Sequence, residues 1–225
     1  MKMTKKKVFV VALAVSLIAI ISMGTLAWFN ATADVTNKFM VTDSEQDPDK
    51  IFSVELYETK VDEAGKPVTP YEKTYDGNTY KNIAPNAMLT KDPTVDNTGK
   101  YDQWIRVKVT LTNATNWINA LQANRITQLE DIFIGYEGDL WQSEGNENPV
   151  PNANDEVTFT YYLKDKLTPG EDPVSLFTAV HIPDAFDQED MAKLHEFELK
   201  IVAEALQYDN TGDNCFQAFD NYWAE

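Results

Sequence analysis

The chain has 225 residues, of which 43% are hydrophobic and 12% aromatic, enough for a sizeable core and incompatible with wholesale disorder. Its 19 basic residues face 36 acidic ones, a formal charge of −17. Such a surface repels phosphate backbones and excludes nucleic-acid binding as a main role, and one cysteine excludes an internal disulfide.

Four lysines (Lys2, Lys5, Lys6 and Lys7) open the chain, and an apolar run follows over residues 8–21, broken only by Ser16. "SMGTLA" then supplies small side chains before Trp28. Basic start, apolar middle and small-residue end follow the grammar of a secretory signal peptide. The expected cut lies between Ala27 and Trp28, with Ala27 at −1 and Thr25 at −3. Residues 8–29 are also long enough to span a bilayer, so an uncleaved anchor is the rival reading. Residues 1–27 are expected to be a removable leader, and residues 28–225 one β-sandwich domain. That product carries 15 basic and 36 acidic residues, net −21.

The mature chain opens on alternation. Phe29, Ala31, Ala33, Val35, Phe39 and Val41 share one parity, with Asn37 the exception, and polar residues lie between them. Period two predicts a strand with one buried face. Residues 43–50 form a polar turn, and Phe52, Val54 and Leu56 share a face of the next strand. Asp76-Gly77 marks a turn. Ile105, Val107, Val109 and Leu111 alternate with Arg106, Lys108 and Thr110, a strong strand signal. Trp117, Ile118, Leu121 and Arg125 have helical spacing. Ile132, Ile134 and Tyr136 alternate again, and "GDLW" is expected to pair with them. Val157, Phe159, Tyr161 and Leu163 share a face, "FDQEDMAK" suits one helical turn, and Phe197, Leu199, Ile201 and Ala203 share a side. Nine or ten short strands with little helix predict an all-β sandwich.

Several stretches carry a resemblance. "GTLAWFNATADVTNKF" across the end of the leader, "KDPTVDNTG" before "WIRVKV", and "FELKIVAEALQ" near the end resemble the TasA and camelysin family of Gram-positive bacteria, exported through the SipW-type signal peptidase. Where that family usually has glycine after the loop proline, this chain has Asn86, which tolerates positive φ. The resemblance implies a jelly-roll-like β-sandwich with short helical decorations and a role in the biofilm matrix or at the cell surface. It also implies a dedicated signal peptidase as partner.

The chemistry-bearing motifs are sparse. "HEFEL" offers His195-Glu196, but Leu199 stands where a zinc protease needs its second histidine, and His181 lies on another predicted element. There is no nucleophile elbow and no phosphate loop. Asp155-Glu156 and Glu189-Asp190 are adjacent carboxylates of the kind an acidic chain produces freely. Residues 43–50 and 209–214 cluster oxygen ligands for calcium without EF-hand spacing, so solvated turns are the default. No catalytic residue, metal ligand or resident cofactor is expected. Cys215 is expected to be a small buried side chain, and the tryptophans Trp28, Trp104, Trp117, Trp141 and Trp223 mostly core.

The functional expectation is a secreted structural subunit, extracellular or at the cell surface, that self-associates into fibres or oligomers. Residues 28–41 are the candidate donor strand, with Phe29, Val35, Phe39 and Val41 as its anchors. Membrane contact is expected only through the uncleaved precursor. The alternatives are a monomeric adhesin or ligand-binding module and, less favoured, a camelysin-like metalloprotease.

Overall fold

The computed structural model describes residues 30–34, 52–126, 128–145, 149–194 and 196–223. Twelve strands occur among them: β1 (Asn30–Asp34), β2 (Glu55–Thr59), β3 (Lys73–Thr74), β4 (Met88–Thr90), β5 (Thr94–Asp96), β6 (Gln103–Thr112), β7 (Phe133–Ile134), β8 (Trp141–Ser143), β9 (Glu156–Leu163), β10 (Val174–Ser175), β11 (Ala179–His181) and β12 (Leu199–Gln207). Three short helices, α1 (Ala114–Ala123), α2 (Gln188–Lys193) and α3 (Cys215–Trp223), and a 3-10 turn (Leu129–Ile132) complete the described elements. The fold is all-β, built from antiparallel sheets with few short helices, as the alternation predicts. Among the described residues no helix is long and apolar enough to cross a membrane.

The largest sheet has the order β1-β12-β6-β9-β8; β10-β5-β2-β3 and β4-β11-β7 form two smaller ones. The central strand β6 pairs with β12 over nine residues and with β9 over seven. Its odd-numbered residues Ile105, Val107, Val109 and Leu111 are fully buried, as are Ala203 and Ala205 on β12. With Val157, Phe159, Tyr161 and Leu163 of β9, they form one face of a core completed by Leu56, Val95 and Val180 from the smaller sheets and by Val54 and Phe177 beside them. Registered pairing puts partners on the same face, so one parity of three long strands makes a continuous apolar layer. At about 25 cal/mol per Å2 of apolar surface, that layer is the main stabilising term.

The opposite face of the large sheet is polar along most of β6 but carries a second cluster at one end. There α3 packs Cys215, Ala218 and Phe219 against Trp104, Tyr162 and Leu206. Arg106 lies over the Phe219 ring at 4.3 Å and is held by Glu204. The helix is absent from the sequence-based expectation, although Cys215, Ala218, Phe219 and Tyr222 recur at helical spacing.

Two local expectations are corrected. The alternation of Ile132, Ile134 and Tyr136 does not form one buried face: Phe133 is buried on β7, Ile134 is exposed, and Ile132 is buried in the 3-10 turn. The turn shifts the parity, and Gly135, at φ +73°, ends the strand against Thr178. "GDLW" does not pair with this strand either, because Trp141 starts β8, which pairs with β9. The helix expected around Trp117 is present as α1, ending before Arg125, whose φ is +60°. The turn in "FDQEDMAK" is α2, started by a capping box between Asp187 and Asp190.

Candidate functional site: a sheet edge above an apolar groove

β12 is paired along its whole length with β6 on one side. On the other side β1 covers only part of it: Asn30 lies opposite Leu206, Ala31 opposite Ala205, Ala33 opposite Ala203 and Asp34 opposite Val202. Among the described residues, nothing pairs with Leu199, Lys200 and Ile201 on that side. The outer edge of a sheet is where an extended chain can add by backbone hydrogen bonding.

Below this edge lies a groove of about 1410 Å3. Apolar side chains from separate elements line it: Ile83, Leu89, Val180, Leu194, Phe197 and Ile201. Polar residues including Asn113, Asp155, Glu198 and Lys200 surround them. Such a volume exceeds the roughly 300–1,000 Å3 usual for small-molecule pockets. Two arrangements hold the groove in shape. Asn113, in a left-handed conformation at φ 55°, donates its amide to the carbonyls of Lys193 and Glu196 at 3.0 and 3.1 Å, tying the approach to β12 onto the end of β6. Trp117 of α1 is fully buried, with Phe197 at 5.1 Å and Phe186 at 5.8 Å between ring centres.

Asn78, Tyr80 and Lys91 line another part of the groove, in a polar cluster centred on a buried ion pair. Lys91 Nζ donates to Glu58 Oε1 at 2.6 Å, and both residues are buried. Asn78 donates from Nδ2 to Glu58 Oε2 at 3.3 Å and to the Thr59 carbonyl at 2.9 Å, and its Oδ1 accepts from the Val61 N–H at 2.9 Å. Tyr80 donates to the Thr90 carbonyl at 2.6 Å. Burial, then the charges of Glu58 and Asp92, push its hydroxyl pKa up. Nothing in composition or spacing singles out Glu58, Asn78 and Lys91; they meet only because β2, the loop after β3 and the segment after β4 converge.

The residues expected to carry function fall in several places. Thr25, Ala27, Trp28, Phe29, Val35, Phe39 and Val41 lie outside the described residues, as does His195. Of the candidate donor segment, residues 30–34 are described, paired as β1 with the chain's own β12. His181 is on β11, its Nε2 3.2 Å from Asn86 Oδ1, and Asn86 adopts φ 62°. Among the described residues no group of three His, Cys, Asp or Glu side chains could hold a metal ion. The adjacent carboxylates have structural partners: Asp155 accepts from the Thr115 N–H, Glu156 from Lys200, and Asp190 closes the capping box of α2. Trp104, Trp117 and Trp141 are buried, and so is Cys215, whose Sγ donates to the Ile105 carbonyl at 3.1 Å. No family model, curated protein or solved structure matches this chain.

Proposed function

We propose that this chain is an exported structural subunit of the extracellular matrix or cell surface, built on a jelly-roll-like sandwich, that self-associates through its N-terminal strand. The observation that carries this reading is the pairing at the outer edge of β12. Five residues of β1 lie against it in a register that runs towards an apolar groove.

A strand that closes its own sheet and a strand that closes a neighbour's make the same hydrogen bonds, so the choice depends on tether and concentration. The leader grammar of residues 1–27 supplies the tether, and a cut between Ala27 and Trp28 releases it. A donated strand that kept this register for three more residues would set Val35, Thr36 and Asn37 against Ile201, Lys200 and Leu199. Phe39 and Val41 would then follow over the groove, with Phe29 at the opposite end. Each large apolar side chain buried this way contributes about 1.5–3 kcal/mol, enough together to make exchange slow. The strongly negative surface opposes indiscriminate association, leaving the strand as the specific contact.

The test is electron microscopy and light scattering of residues 28–225 beside a version lacking residues 28–41. Fibres or growing oligomers from the longer protein alone are the expected result. Equal assembly by both would falsify strand donation. A single monomeric mass for both at every concentration favours the adhesin reading.

A further inference from the structure

Lys91 is the one buried lysine among the described residues, and Glu58, its partner, has no exposed surface. Burying such a pair is expensive and adds little net stability over apolar residues of similar volume. The same carboxylate also receives the Asn78 amide, so one buried group holds an amine on one oxygen and a carboxamide on the other.

We propose that Lys91 and Asn78 are joined by an intramolecular isopeptide bond formed with Glu58 as the proton carrier. In the first step a proton passes from Lys91 Nζ to Glu58, across a contact of 2.6 Å, and frees the amine lone pair. That amine attacks Asn78 Cγ. The negative charge developing on Oδ1 is met by the Val61 N–H, already 2.9 Å away and aimed at that oxygen. Glu58 delivers the first proton to Nδ2 as the Cγ–Nδ2 bond breaks, and takes a second proton from the former ammonium nitrogen of the adduct. Nδ2 leaves with its own two hydrogens and the proton delivered to it, as ammonia, which then accepts the second proton from Glu58 and departs as ammonium. The ammonium and the primary amide thus become one secondary amide and one ammonium ion, and Glu58 returns to its carboxylate form. No oxidant, reductant or cofactor is consumed.

The placement suits a crosslink. Asn78 sits in the loop after β3, and Lys91 directly follows β4, so the bond ties one wall of the groove to the strand beside it. A neutral amide also replaces a buried ammonium, removing the desolvation cost of that charge. The proposal is independent of strand donation, since it concerns one chain and its covalent state.

The test is mass spectrometry of the purified full chain, with its N-terminus determined so that leader removal is accounted for. The expected intact mass is one ammonia below that calculated from the sequence, with a digest fragment joining Asn78 to Lys91. Glu58→Gln is expected to slow the bond by about 100-fold or more, the usual weight of a positioned proton carrier. Lys91→Arg and Asn78→Ala are expected to restore the uncrosslinked mass. A wild-type chain at its full calculated mass, or one whose missing ammonia maps to other residues, overturns the proposal. So does a Glu58→Gln chain that folds, by circular dichroism, and crosslinks as fast as the wild type.

Discussion

Asp34 pairs with Val202, the last described pair along the outer edge of β12, which itself begins three residues earlier at Leu199. One step back, Ala33 lies opposite Ala203. Directly opposed residues of an antiparallel pair have Cα atoms about 4.5–5.5 Å apart, within the range a disulfide bridges. Ala33→Cys with Ala203→Cys therefore reports which sheet the strand occupies. The expected outcome on oxidation is a ladder of covalent oligomers on non-reducing gels, growing with protein concentration. An internal disulfide in a monomer at every concentration means the strand stays in its own sheet.

Trp117 supports the groove from behind. Its indole is fully buried, and its Nε1 has no hydrogen-bond partner. Trp117→Ala is expected to cost about 3–5 kcal/mol in urea denaturation, from lost transfer energy and the cavity left between Phe186 and Phe197. Trp117→Phe is expected to cost much less, because it keeps an aromatic ring there and removes an unsatisfied donor. Equal losses for both would show that the ring does not organise this wall.

The polar face of the large sheet makes a second contrast. Arg106 is buried and Glu204 mostly so, with Nη2 2.5 Å from Oε2, whereas Lys108, 3.0 Å from the other oxygen, is about a third exposed. Glu204→Gln is expected to cost about 3 kcal/mol, because it leaves the guanidinium under α3 without its counter-charge. Lys108→Ala is expected to cost less than about 1 kcal/mol. Thermal unfolding of the two variants at one salt concentration distinguishes them.

Cys215 gives the fold a pH dependence of definite sign. Burial, only partly offset by its hydrogen bond to the Ile105 carbonyl and by Arg106, pushes the thiol from 9.0 up to about 12. Between those values the unfolded chain has released a proton that the folded chain keeps, so stability falls as pH rises through 9. Wild type is expected to lose about 1.4 kcal/mol more than Cys215→Ala between pH 8 and pH 10, read from denaturant midpoints. The same burial predicts that the native thiol resists alkylation at pH 8 and reacts once the chain is unfolded. Rapid labelling of the native protein would contradict it.

Much of the architecture is legible along the chain because a half-buried strand must alternate. The parity of Ile105–Leu111 and Val157–Leu163 survives into the folded core, and Asn86 takes the positive φ that its place after a proline suggests. α1 and α2 follow from helical spacing and from an acidic first turn after Asp187. Short elements are less legible. β7 spans two residues, too few to carry a period, and the preceding 3-10 turn shifts its parity. α3 shows its spacing only when the segment is considered apart from the long strand before it.

The candidate site belongs to tertiary structure. Leader grammar and an alternating segment are local properties, because lipid partitioning and strand pleating act on neighbours in the chain. The pairing of β1 with the outer edge of β12 and a carboxylate shared by Lys91 and Asn78 are not local. They exist because elements dozens of residues apart are brought together when the core excludes water, and no spacing along the chain records that meeting.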